Sequence, residues 1–417
     1  GLAGLNNGDV TNCSVVGTYV EATGNQVGGL FGLSETLKSF KVTDNFVYAE
    51  VKGGENVGGI IGFQGTGFPT VIENNAAYGQ VTASVKYAGG IVGYLQGGDK
   101  TTSIVNNYSH ATVNGLEIGG IGGAPIDASI VSSYVTGNVN GGNADASVWN
   151  VGGIVSQCYG SVISGCYFAG TATGGGKVGA IESRAWAAVK NCYWDKTKTK
   201  NAIGEGGGSI EATGLETADM MSFDKMKFTD AARWKIIEGK SLPYFANQTA
   251  PITVTEMTTT GAKGTYTGTL DQLVFYTTSY YGAAYEPTSV NIADGKWEVK
   301  WNGDEIGVLK DDVVAVFGKA KDLMPSQAVE ARVTEGGSGV ASASVAGKAR
   351  VATGDGYIRI LSDNLAAQAY SLVNLAGATV KAGTTTGITT EIATSGLASG
   401  VYVLTVDGTQ AFKVLVK

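Results

Sequence analysis

With 417 residues the chain is long enough for two to four domains and a substantial core. Its 64 glycines, six prolines and charged fraction of 16% exclude an ordinary helical protein, and also a disordered one, which needs low hydrophobicity and charge runs. A net charge of −7 with no basic stripe argues against nucleic-acid binding, and no apolar run approaches the ~18 residues that span a bilayer.

The chain opens GLAGLNNGDV, without Met, basic n-region or apolar h-region, so a signal peptide has been removed or lies outside this sequence. A Gly-Gly element then recurs as VGGLFG (27–32), VGGIIG (57–62), AGGIVG (88–93), IGGIGG (118–123), VGGIVS (151–156) and a decayed VGAI (178–181). The successive offsets are 30, 31, 30, 33 and 27 residues. A second element keeps step with it: VTNCSVVGTYV, VTDNFVYAEV, IENNAAYGQV, IVNNYSHATV, VSSYVTGNV, ISGCYFAGTA and VKNCYWD. Two markers in phase over seven cycles identify a repeat architecture. The units hold short β-branched and aromatic runs punctuated by Gly and Asn, which read as strands and turns. A unit of that size fits one coil of a right-handed parallel β-helix, with coils stacked at the ~4.8 Å strand spacing.

Alignment of the cycles places residues in columns along the helix axis. Asn12, Asp44, Asn74, Asn106, Ser132, Gly165 and Asn191 form an expected ladder of turn amides, followed by Cys13, Asn45, Asn75, Asn107, Ser133, Cys166 and Cys192. Strand alternation should turn Val47, Ala77, Ser109, Val135 and Phe168 to one side. With the small residues Ala49, Gly79, Ala111, Gly137 and Gly170 they suit a narrow coil interior.

VGGIIG followed by NNxxxGxV, with NCYWD near the end, resembles the GLUG motif repeats of bacterial surface proteins, and ETADMMSFDKM…WKIIEGKSLPYFANQ resembles the segment that finishes such arrays. The resemblance covers residues 1–248 and implies an extracellular protein; such repeats accompany some surface peptidases without supplying their active site. From about residue 205 the array is expected to close in a C-terminal cap, because a solenoid end exposes unpaired strands. Within it Thr217 is placed to N-cap a short helix through Met226, and Trp234, Ile236, Ile237, Leu242, Tyr244 and Phe245 form an apolar group.

Composition shifts at Ala250-Pro251. ITVTEM, GTYTGTL, QLVFYTTSYY, SVNI, KWEVKW and VVAVFGKA, with turns at Asp294-Gly295 and Asn302-Gly303, predict an antiparallel sandwich over 250–335, loosely similar to bacterial immunoglobulin-like modules. A small-residue linker, 336–349, leads to a second sandwich over 350–417, ending in a hairpin at Asp407-Gly408. There NLAGATV (374–380), LASGVY (397–402) and the terminal KVLVK resemble the C-terminal sorting domain of the type IX secretion system of Bacteroidetes. The resemblance implies export and attachment at the cell surface, with the tail open to cleavage.

Candidates for chemistry are few. His110 is the single histidine and aligns with the outward Tyr48 and Tyr78. Nothing nearby in its column supplies both the nucleophile and the orienting acid that a catalytic base needs, so no catalytic residue is assigned. A polysaccharide lyase or glycosidase on a β-helix would stack carboxylates in adjacent coils. Here Asp44, Glu50, Glu55, Glu73, Asp99, Glu117, Asp127 and Asp145 scatter over mostly different columns. The GGxGxD nonapeptide of calcium β-rolls is absent, and no metal or cofactor is expected. Cys166 and Cys192 lie in successive coils, where parallel neighbours have poor disulfide geometry; all four cysteines are expected as free thiols.

One outward feature stands out. Phe46, Tyr108, Tyr134, Tyr167 and Tyr193 share a column, and Tyr48, Tyr78 and His110 share the next. They are expected to form an aromatic strip that stacks on sugar rings or a protein partner, or to lie beneath a flanking loop, or to be stacked ladders that merely stabilise the face. The sequence thus reads as a secreted or outer-membrane-associated, non-catalytic, adhesin-like protein that binds glycan or host or matrix protein through its β-helix face. Its rivals are a carbohydrate-active enzyme and a structural stalk presenting a further domain.

Overall fold

The computed structural model describes residues 1–34, 39–65, 68–97, 102–142, 150–184, 186–277, 285–301, 308–334, 350–354, 357–361, 368–374, 376–385, 389–408 and 410–416. The 336–349 linker, Asp99, Asp145, the Asn302-Gly303 turn and the end of the QLVFYTTSYY run lie outside them. Among the described residues every regular element is a strand except two 3₁₀ turns. The chain is all-β: a parallel β-solenoid of about six coils, followed by small antiparallel sheets.

The coils pair in parallel, as the in-phase markers require. Ala76–Gly89 runs in register along Phe46–Gly58 from Ala76↔Phe46 to Gly89↔Gly58, with one irregularity between Ala83 and Lys86. That irregularity absorbs the extra residue of the 31-residue offset. The first turn column takes left-handed backbone in successive coils, with φ of 52° at Asn12, 60° at Asp44, 56° at Asn74, 53° at Asn106 and 45° at Ser132. Asn and Asp tolerate this conformation best, which explains the column's composition.

The buried amide ladder is the next column. Asn75 Oδ1 accepts the backbone N–H of Asn45 (3.1 Å) and Asn45 Nδ2 (2.9 Å), while Asn75 Nδ2 donates to Val42 O and to Asn107 Oδ1, both at 2.9 Å. Asn107 repeats the pattern one coil on, and the Ser133 hydroxyl then takes over as acceptor of the Asn107 N–H. The first column is joined more loosely, through Asn74 Nδ2 to Asp44 Oδ1 at 3.1 Å.

Inside, Val47, Ala77, Val135 and Phe168 fill one column, and Ile60, Ile91, Ile121, Ile154 and Ile181 another, all buried. The Gly-Gly corners exist because coils touch there by backbone: a methyl on Gly59 would sit 2.1 Å from the Gly90 carbonyl oxygen. The four cysteines are free, and Cys166 and Cys192 donate to carbonyls of the neighbouring coil, Ile130 O and Ile163 O.

Two expectations about the closing segment need correction. Thr217 caps no helix through Met226; a 3₁₀ turn at Asp219–Met221 stands there, and the Thr217 hydroxyl donates to the buried Asp195 carboxylate at 2.6 Å instead. Ladder pairing also continues past residue 205, since Ile210–Leu215 pairs in parallel with Ala188–Asp195. The apolar group of the segment then turns back onto the solenoid flank, where Met220, Met226, Phe228, Trp234 and Phe245 are buried.

Beyond residue 250, Thr253–Thr258, Gly261–Thr265, Lys296–Lys300 and Ser289–Ala293 form one antiparallel sheet; Gln272–Thr277, Val313–Lys319 and Val329–Arg332 form another. Phe275, Trp297, Val299, Val314 and Val316 pack between them. The alternate residues Val274, Tyr276, Ala315 and Phe317 are equally buried, against the solenoid. The second sheet is therefore apolar on both faces, which is why QLVFYT and VVAVF read as unbroken apolar runs. From Arg350 to Val416 a three-stranded and a four-stranded sheet enclose Ile358, Ile360, Leu372 and Leu404, with left-handed Asp407 and Gly408 at the tip of the last hairpin.

Candidate functional site

The aromatic columns are where the register predicts. Phe46 pairs with Ala76, Ala76 with Tyr108, Tyr108 with Tyr134, Tyr134 with Tyr167 and Tyr167 with Tyr193, while Tyr48 pairs with Tyr78. They point away from the coil interior, yet Phe46, Tyr48, Tyr78, Tyr108, Tyr134, Tyr167 and Tyr193 are all buried. The exposed strip is corrected to an internal seam, because the closing segment and the first sandwich lie across it.

The seam is specific. Tyr48 stacks on Tyr276 (4.5 Å) and Tyr78 on Phe317 (4.0 Å). Tyr108, Tyr134 and Tyr167 stack on one another at 4.5 and 4.7 Å. Four of the phenols find partners across the boundary: Tyr78 donates to Ser326 O, Tyr134 to Gln248 Oε1 and Tyr167 to Pro243 O, while the Ala328 N–H donates to Tyr108. Burial holds the hydroxyls of Tyr78, Tyr134 and Tyr167 far above the usual phenol range, so they remain neutral donors.

His110 sits at the edge of this seam with more around it than its own column offers. Its Nδ1 lies 2.8 Å from Thr136 Oγ1, and its Nε2 lies 3.4 Å from Glu330 Oε1 of the sandwich. The imidazole beside it holds the Glu330 carboxyl below its ordinary range, chiefly through their hydrogen bond. A carboxylate, an imidazole and a hydroxyl thus line up, the acid coming from the sandwich and not from the solenoid column. The same hydroxyl is 2.9 Å from Tyr108, and the group ties strand Val329–Arg332 to the solenoid. Among the described residues no three His, Cys, Asp or Glu side chains gather as metal ligands.

The solvent-facing chemistry lies on another flank, at the residue following each Gly-Gly element. Leu5, Leu33, Phe63, Tyr94 and Ala124 are paired in register there, and Gln157 and Arg184 continue the count. Phe63 and Tyr94 stack at 5.3 Å, and Tyr87, from the strand before the corner, meets Tyr94 at 5.4 Å with Lys86 over its own ring. Two coils on, Gln157 Nε2 donates to Glu117 Oε2. Further on, Arg184 lies over Trp186 (5.3 Å), which meets Tyr159 edge-on at 6.0 Å. Tyr159 is 61% and Trp186 43% exposed.

What holds that last pair is a carboxylate in the core. Glu182 occupies an apolar column that also holds Ala3, Phe31, Ile61, Val92, Gly122, Val155 and Ile203, and is fully buried. Its Oε1 accepts the N–H of Cys158 (3.2 Å) and of Trp186 (3.4 Å), and its Oε2 that of Ala187 (3.3 Å). One side chain therefore fixes both segments that carry the exposed rings. An acidic residue at an aliphatic column position in VGAIES was the signal available in the sequence. No family model matches the chain. No curated protein matches it either. Among solved structures, a chain described as "Biofilm associated protein - BSP domain" is similar over 40% of this chain at 11% identity, with a TM-score of 0.18. The match spans 29% of that chain's length, so it bears on neither ligand nor activity.

Glu182 also makes stability depend on pH. Burial raises its carboxyl from 4.5 to about 7, against the opposing pull of the three N–H donors. The folded chain then holds this proton more tightly than the unfolded one, so the stabilisation is fully present below the unfolded value and lost as pH rises through about 7. At 1.36 kcal/mol per pKa unit the loss is up to about 3 kcal/mol. Urea midpoints measured on either side of the window should drop for the wild type and stay level for Glu182→Gln. Equal pH dependence in the two proteins would refute the assignment.

Proposed function

We propose that the chain is a non-catalytic, adhesin-like protein of the bacterial surface, whose solenoid supplies the binding face and whose last sandwich serves in export and attachment. The supporting observation is the form of the solvent-facing chemistry. It is laid out as columns with one residue per coil, which makes a linear surface in place of a pocket around a reacting bond. The resemblance to GLUG repeats supports an extracellular setting. The sorting-domain likeness of NLAGATV, LASGVY and KVLVK, the last two overlapping the terminal hairpin of Gly400–Val406 with Gln410–Val416, supports surface attachment.

The test is an array of glycans and matrix proteins probed with the whole chain, alongside turnover assays on acidic polysaccharides with and without chelator. Binding without turnover is the expected result. Chelator-sensitive turnover would replace this reading with a lyase, and an absence of both binding and turnover would leave a structural stalk.

A further inference from the structure

Three observations about the Gly-Gly flank converge. First, the aromatic and hydrogen-bonding groups follow one another along the axis: Tyr87 and Tyr94, then Glu117 and Gln157, then Trp186 and Tyr159 beside Arg184. Tyr94 and Arg184 stand three coil steps apart, about 14 Å at ~4.8 Å per step. The band is three side-chain columns wide, still too narrow for the ~800 Å² that a stable globular partner covers.

Second, its charges cancel locally. Lys177 and Arg184 both approach Glu205, and Glu117 feels Lys86 and Arg184. A polyanion or polycation gains little from such a surface, whereas a chain of hydroxyls can donate to the carboxylates and accept from the amide and guanidinium groups. The strand backbones here are already paired coil to coil from Leu5 through Ala124, so they offer no free edge in the middle of the band for a peptide to extend.

Third, the band is built at a cost. A carboxylate placed in an apolar core gives up its hydration before its hydrogen bonds offset the loss. Glu182 spends its three bonds on the segments that display Tyr159 and Trp186. Its position accounts for why two large rings stay exposed in a fixed edge-to-face arrangement.

We propose that this band, running from Tyr87 and Tyr94 through Glu117 and Gln157 to the Trp186–Tyr159 pair, binds a linear, uncharged glycan laid along the solenoid axis. Ring faces of the sugar stack on the aromatic side chains at the two ends, and hydroxyls bond to the carboxamide and carboxylate between them. The inference rests on the adhesin-like reading above and names the ligand class and the site.

The test is affinity electrophoresis of the full chain through gels cast with laminarin, barley β-glucan, galactomannan, polygalacturonate or hyaluronan. Retardation is expected with at least one of the three neutral polymers. Tyr94→Ala and the double variant Tyr159→Ala/Trp186→Ala, all at solvent-facing positions, should each weaken it tenfold or more. Tyr19→Ala, an exposed ring on the first coil outside the band, should leave it unchanged. Retardation by the charged polymers alone would overturn the ligand class. Neutral binding that survives both band variants would overturn the site. A wild-type chain that captures a matrix protein on the array and no glycan would sink this inference and leave the adhesin-like reading standing. Binding to nothing would remove both.

Discussion

Tyr134→Ala should cost the protein about 3–5 kcal/mol, the range for deleting a large buried aromatic side chain. Tyr134 has no exposed surface; it stacks between Tyr108 and Tyr167 and meets Phe245 at 4.9 Å and Trp234 at 5.8 Å. Its removal opens a void bordered by the solenoid and the closing segment. Tyr134→Phe should cost only about 0.5–1.5 kcal/mol, the net worth of one hydrogen bond. Gln248 Oε1, which loses the phenol, keeps the Phe245 N–H at 3.1 Å. Urea unfolding followed by tryptophan fluorescence reads both, since Trp234 lies in the cluster. An alanine variant within 1 kcal/mol of wild type would show that the seam contributes little to stability.

The second large effect is expected at Asn75. Leucine has a similar volume, but Asn75→Leu strands the Asn45 N–H and takes the side-chain donor from the Val42 carbonyl, while Asn107 Oδ1 keeps the residue 75 backbone N–H. Each of these two groups costs about 1–3 kcal/mol when left unpaired and buried, so a total of about 2–6 kcal/mol is expected. Asn75→Asp should be nearly as harmful, because a carboxylate accepts the N–H bonds but has no hydrogen for Val42 O or Asn107 Oδ1. Asn75→Ser should be mildest: Ser133 holds the same column, accepts the Asn107 N–H at 3.1 Å and donates to Val131 O. Denaturation midpoints in the order wild type, Ser, then Asp and Leu would support the ladder; a leucine variant as stable as serine would contradict it.

The parts of the fold that repeat were legible in the sequence, and for a physical reason. A coil can bury its face only against a copy of itself, so the Gly-Gly corner, the left-handed Asn turn and the inward aliphatics recur in phase. The register of Phe46, Tyr108, Tyr134, Tyr167 and Tyr193 followed directly from that phase. Their environment did not, because what covers them comes from residues 220–330, which have no period. One clue was present: QLVFYT and VVAVF lack the alternation of a sheet with a wet face, so both faces had to be covered. The acidic partner of His110 was hidden for the same reason, Glu330 being 220 residues away. The Gly-Gly flank was readable in principle, since the letter after each motif runs Leu33, Phe63, Tyr94, Ala124, Gln157, Arg184.

The seam also decides how the protein carries load. The sandwich doubles back along the solenoid, from Gln327 beside Tyr167 to Tyr276 beside Tyr48. A pull on the C-terminal tail therefore enters through a domain laid across several coils at once. The stacked tyrosines and their cross-boundary hydrogen bonds resist it together, in shear. Without that overlap the tension would fall on the last strand, Ile210–Leu215, and peel the coils one after another like a zip.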